Sequence, residues 1–176
     1  MVKAIKVMLI PNNIQKTKMF QYAGASRFAY NWALAREIEN YEKGGKFISD
    51  AELRKEFTKL RHSDEYAWLL GISNNVTKQA IKDACTAYKN FFKGLQKFPR
   101  FKSKKRSMPK FYQDNIKIQF SNTHVKFLLA ERVFLKITQR IQSISIISKE
   151  VRVIPTVSLS SIFQQFRRSR LRLKNS

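Results

Sequence analysis

Residues 88 to 110 hold the groups in this sequence best suited to meeting a polyanion. Rings at Tyr88, Phe91, Phe92, Phe98 and Phe101 alternate with nine basic residues, Lys89, Lys93, Lys97, Arg100, Lys102, Lys104, Lys105, Arg106 and Lys110, and no carboxylate interrupts them. Ammonium and guanidinium groups neutralise phosphates, while flat rings stack on bases or seat a segment on a protein core. The nine cations are therefore the candidate nucleic-acid-binding residues. Phe98 and Phe101 are expected mainly to anchor the arm to the core, with stacking on bases as the other use. Nothing identifies a side chain that would read base edges.

Catalytic chemistry is hard to assemble. A metal-dependent nuclease needs several carboxylates converging on Mg²⁺, yet the second half offers only Asp114, Glu131 and Glu150. Glu37, Glu39 and Glu42 fall on expected exposed helix faces, where pairing with lysine explains them. His62 and His124 fit no metal-ligand spacing, and Gly44-Gly45-Lys46 lacks the spacing of a phosphate loop. Cys85 reads as a small core residue. No catalytic residue, metal or cofactor is expected.

The charge has the same address as the arm. The chain of 176 residues has a formal net charge of +23. Residues 1–88 carry 14 Lys/Arg against 9 Asp/Glu, a net of +5, whereas residues 89–176 carry 21 against 3, a net of +18. Such a field attracts nucleic acid first and an anionic membrane surface second. No apolar run approaches the roughly 20 residues of a spanning helix, and Val7–Ile10, ended by Pro11, is too short for a signal segment. One cysteine excludes an internal disulfide and suits a cytoplasmic protein. The 43% hydrophobic content, with 14 Phe, is enough for a buried core.

The elements that must position the arm follow from periodicity. Residues 2–10 read as a strand ending at Pro11, with no partner nearby. Phe20, Ala23, Phe28, Trp32, Ala35, Ile38 and Tyr41 recur at helical steps over 14–41, with Gly24 and Ser26 as points of bending and Gly44-Gly45 as the stop. Ser49 and Glu52 make a capping box for a helix from Asp50 to about His62. Tyr66, Trp68, Leu69 and Leu70 are expected to plug the helical core. Ser73 caps a third helix with Val76, Ala80, Ala84, Tyr88 and Phe91 or Phe92 on one face, and Gly94 stops it. Beyond Met108 the period changes: Ile116–Phe120 and His124–Leu128 read as a hairpin, and 132–137 and 143–159 as extended. All five glycines lie between 24 and 94. Either the later turns use Ser, Asn and Gln, or residues after 128 were not selected for this fold.

In this order the pieces resemble the N-terminal part of the TnpB (OrfB) family of insertion-sequence transposon proteins, RNA-guided DNA nucleases related to the type V CRISPR effectors. The resemblance is carried by Leu9-Ile10-Pro11-Asn12 with Gln15, Arg27-Phe28-Ala29-Tyr30-Asn31-Trp32, Trp68-Leu69, Ala87-Tyr88-Lys89-Asn90-Phe91-Phe92 and Phe98-Pro99-Arg100-Phe101-Lys102. Tyr112, Ile116–Phe120 and Val125-Lys126 extend it. It covers about residues 3–128, and its specificity lies in the combination.

The resemblance implies an α+β fold in which a three-helix, helix-turn-helix-like region is inserted after the first strand of a small β-barrel that the chain need not complete. Residues 116–120 and later strands would then partner strand 2–10. The organisation would be 1–12 first strand, 13–95 helical recognition region, 96–112 basic linker arm, 113–160 strand-rich region and 161–176 basic tail. It also implies guide RNA and DNA as partners, held mostly through backbone and shape. The family's nuclease domain would follow residue 176, so the expectation is a truncated, non-catalytic, nucleic-acid-binding fragment. The alternative is a basic structural RNA-binding or ribosome-associated protein.

Overall fold

The computed structural model describes residues 9–113, 118–120, 124–128, 132–137 and 151–153. Strand β1 (Leu9–Ile10) leads through Pro11 into α1 (Asn13–Glu42), which Asn12 and Gln15 start with a reciprocal capping box. Helix α1 runs uninterrupted past Gly24 and Ser26; neither removes a backbone donor as proline would. Its buried face overlaps the expected one in part: Ala23 is buried, and Phe28, Trp32 and Ile38 pack half-buried against the core. Met19, Tyr22, Ala23, Ala29, Ala33, Leu34 and Glu37 are buried, whereas Ala35 and Tyr41 are exposed. Ala25, Ala29 and Ala33 are closed to water beside the buried rings of Tyr22 and Tyr30, so small residues mark the seam as well as large ones.

Ser49 and Glu52 form the expected capping box for α2 (Asp50–Arg61), which buries Leu53 and Phe57. A 3-10 helix (Asp64–Gly71) follows, of which only Leu69 is fully buried. Trp68 and Leu70 are each 51% exposed, correcting the expectation that they fill the core. The buried Arg61 side chain holds this connector: its Nη2 donates to the carbonyls of Leu69 (2.8 Å) and Ile72 (3.1 Å). Helix α3 (Asn74–Phe92) then buries Val76, Ala80, Ala84 and Tyr88 as expected. Ser73 occupies its N-cap without a side-chain hydrogen bond. Gly94, at φ +69°, turns the chain away in a conformation that costs glycine nothing.

Six short strands are described. Strand β2 (Phe111–Gln113) pairs antiparallel with β6 (Val151–Val153). The second sheet has the order β1-β5-β4-β3, with β3 (Ile118–Phe120), β4 (His124–Leu128) and β5 (Arg132–Ile137). The predicted hairpin is present as β3 and β4, registered Ile118 to Phe127 and Phe120 to Val125. The partner of β1 is β5, one of the later strands expected, with Leu9 opposite Ile137; residues 118–120, also expected, lie at the other end of the sheet order. Residues 2–8, 116–117, most of 143–159 and the basic tail 161–176 lie outside the described residues.

Candidate nucleic-acid interface

The arm leaves α3 through a cluster of rings. Phe98 packs edge-on against Phe91 (centroids 5.1 Å apart) and more loosely against Tyr88 (6.2 Å). Pro99 beside it is buried. Phe98 is thus an anchor as expected, although it stays 46% exposed. Phe101 is exposed, with no ring partner among the described residues. At the far end Phe111 is buried and meets Tyr22 of α1 at 5.5 Å.

Between these ends Asn31 and Tyr30 of α1 hold the arm. Asn31 of α1 donates from Nδ2 to the Lys102 carbonyl and accepts the Lys102 N–H at Oδ1, both at 2.8 Å. A primary amide is the group that can satisfy a backbone donor and acceptor together. The same residue's Nζ lies 3.3 Å from the centre of the Tyr30 ring, a cation–π contact. Immediately afterwards Ser103 and Ser107 close a turn: the Ser107 N–H donates to the Ser103 carbonyl (2.9 Å), the Ser103 N–H to Ser107 Oγ (3.1 Å) and the Arg106 N–H to Ser103 Oγ (3.2 Å). Lys104, Lys105 and Arg106 fall within that turn, all exposed.

The nine predicted cations therefore divide into groups. Lys104, Lys105 and Arg106 share the turn; Lys102 and Lys110 line a small cavity of about 180 Å³ beneath the arm. Lys97 and Arg100 are exposed on the stretch between. Lys89 and Lys93 lie one turn apart at the end of α3, with Lys89 Nζ 4.5 Å from the Phe47 ring. Sequence reasoning missed Arg27, which reaches the small cavity and also an open groove of about 780 Å³ on the other side. The available signal was spacing: Lys18, Gln21, Ala25 and Phe28 recur at steps of three and four along that groove.

Some charges elsewhere are paired or buried. Glu39 accepts from Arg36 (2.7 Å) and Lys43 (2.6 Å), as expected for an exposed helix carboxylate, and these donors hold its pKa below the usual range. Glu37 departs from expectation: it is only 1% exposed, accepts the Ile48 N–H at 3.3 Å, and burial pushes its pKa up, against the pull of that N–H and of Lys89. Burial pushes the Cys85 thiol up to about 12, consistent with a core residue. Among the described residues no helix is long and apolar enough to cross a membrane.

Comparison with known proteins gives these features a family. Residues 1–46 match the profile of the OrfB/IS605 helix-turn-helix domain. The chain is 34% identical over 123 residues to the "Putative RNA-guided DNA endonuclease InsQ" of Escherichia coli strain K12, a match covering 70% of this chain and 31% of InsQ. It is 29% identical over 105 residues to a "Putative RNA-guided DNA endonuclease" of Streptomyces pristinaespiralis, covering 60% of this chain and 26% of the relative. A "Putative transposase A625R" of Paramecium bursaria Chlorella virus 1 is 29% identical over 99 residues, 52% of this chain and 22% of the relative. The chain is therefore similar to the N-terminal region of the TnpB/OrfB transposon proteins. It spans about a third of the length of InsQ.

Proposed function

We propose that the helical unit and its arm form a nucleic-acid-binding module of a TnpB-like transposase, with no catalytic site of its own within these residues. The observation that carries the reading is the pinned turn. Two hydrogen bonds from Asn31 fix Lys102, and Lys104, Lys105 and Arg106 follow on an exposed turn, inside a 23-residue stretch free of carboxylates. Exposed cations carried on a fixed turn neutralise phosphates without the turn first having to be ordered. Lys97, Arg100 and Lys110 extend the phosphate track, and Lys89 and Lys93 continue it onto α3. The partners in this reading are guide RNA and target DNA. The paired strands belong to the small barrel that flanks the helical region, with the domain limits given by the sequence.

The test is a salt titration of binding to duplex DNA and to single-stranded RNA. Log K against log salt should fall with a slope of about −0.9 per phosphate contacted on duplex and about −0.7 on a single strand. Replacing Lys104, Lys105 and Arg106 together by alanine should reduce the slope by about 2 to 3 and leave thermal stability unchanged, because all three side chains are exposed. Binding by the parent protein that is absent at low salt, or insensitive to salt, would overturn the reading. Incubation with plasmid and Mg²⁺ should give no cleavage.

A further inference from the structure

The open groove beside α1 has features that the arm lacks. Its lining includes Lys18, Gln21, Arg27 and Phe28 of α1, and Trp68 of the 3-10 helix, with no carboxylate. Trp68 is 51% exposed and is braced at 5.6 Å by the Phe28 ring, which in turn meets Tyr66 at 5.5 Å and Phe57 at 6.2 Å. An exposed indole mounted on a ring stack that reaches the core is held in place without being covered. The Arg27 guanidinium lies beside Gly24, where a methyl group would stand 4.0 Å from Nη2. Arg27 also lines the cavity of Lys102 and Lys110, so the groove and the arm meet at one guanidinium.

We infer that this groove seats a nucleotide of a single strand whose base stacks on Trp68 and whose phosphate meets Arg27, while the strand continues onto the arm at Lys102 and Lys110. This rests on the nucleic-acid-binding reading and adds a second kind of contact to it. The chemistry favours a single strand over a duplex. An indole offers its surface to an unpaired base, whereas bases within a duplex are already stacked on each other. It favours nucleic acid over a protein segment because the groove is cationic at both the Lys18 and Arg27 positions and joins a stretch of nine further cations. Stacking tolerates any base, so no sequence preference is expected from this contact.

The experiment measures binding of the full chain to labelled oligouridylate, oligothymidylate and a blunt DNA duplex, with folding checked by circular dichroism. Trp68→Ala should weaken single-strand binding about 5- to 100-fold, the range of one lost base–ring stack, with an unchanged salt slope. Trp68→Phe should restore most of it. Arg27→Ala should instead lower the single-strand salt slope by about 0.7. Duplex binding through the arm should stay within about twofold of the parent in Trp68→Ala, since no stack is lost there. In a Trp32→Phe background, oligonucleotide should quench the fluorescence of the remaining indole. The stronger of the two oligonucleotide responses identifies RNA or DNA as the source of the strand. If the parent binds but Trp68→Ala binds both single strands equally well, or the indole is not quenched, the groove assignment fails and the arm reading stands. If the parent binds no nucleic acid, both fail.

Discussion

Where the helices meet, Leu34, Leu53, Leu69, Val76 and Ile81 are almost fully closed to water; along the arm from Lys93 to Lys110, Pro99 is the one buried residue. The helical unit is shaped by apolar burial, which is non-directional and adds up over many contacts. The arm is shaped by ring contacts at its two ends and two directional hydrogen bonds between them. The difference separates two duties. The core sets where Asn31 and Tyr22 stand, and the arm, carrying almost no folding energy itself, can be almost wholly cationic. Eight like charges inside a core would be prohibitive, but on a largely exposed peptide they are solvated.

The sharpest way to break the comparison is through the core. Leu34 is 0% exposed on the face of α1 that meets the other helices. Leu34→Ala should cost about 3 kcal/mol by loss of transfer free energy and creation of a cavity, lowering the thermal midpoint of the helical unit. Nucleic-acid affinity of the molecules that remain folded should not change. A loss of affinity in proportion to the loss of stability, measured well below the melting temperature, would show that arm and core are not separable.

Asn31 is the joint between the two regions, and its effect should be intermediate. Asn31→Ala removes both hydrogen bonds to Lys102 and should cost about 1–2 kcal/mol of local docking. Hydrogen exchange at the Lys102 amide should accelerate about tenfold or more, while amides in α3 such as those of Ala80 and Ala84 keep their protection. Binding should weaken modestly with the salt slope retained, because the cations remain but must be ordered on contact. An unchanged Lys102 exchange rate would mean that the anchors at Phe98 and Phe111 suffice alone.

The sequence made the helix ends legible because they are set locally. Ser49 with Glu52, and Gly94 after Phe92, each solve a problem within four residues of themselves. The address of the arm was legible for the same reason, from composition over a short window. Periodicity caught the rotation of α1 in part. Phe28, Trp32 and Ile38 pack half-buried against the core, but the positions fully closed to water include Ala25, Ala29 and Ala33, which no hydrophobicity count favours over rings. The same preference for large residues placed Trp68 in the core, since exposure of an indole depends on which neighbours the tertiary fold brings over it, and it gave Arg27 no binding role. The partner of β1 was likewise hidden: pairing with β5 joins residues 9 and 137, and nothing local specifies it.

The smallest expected effect lies at Glu37, a polar intruder in the core whose Oε1 has no hydrogen-bond partner among the described residues. Burial raises its pKa above that of a glutamate in the unfolded chain, so the folded state holds the proton more tightly. Its favourable contribution is full below the unfolded value of about 4.3 and is lost as pH rises through the higher folded value. At neutral pH the buried carboxylate therefore costs stability, partly offset by the Ile48 N–H and by Lys89. Glu37→Gln keeps an acceptor for Ile48 and removes the charge. It should be more stable than the parent at pH 7 by up to about 1 kcal/mol, with the gap closing as the pH is lowered toward 4. Thermal melts across that range measure it. A variant less stable than the parent at pH 7 would mean that the attraction to Lys89 outweighs burial, and that the first cation of the arm's series is in part a member of the core.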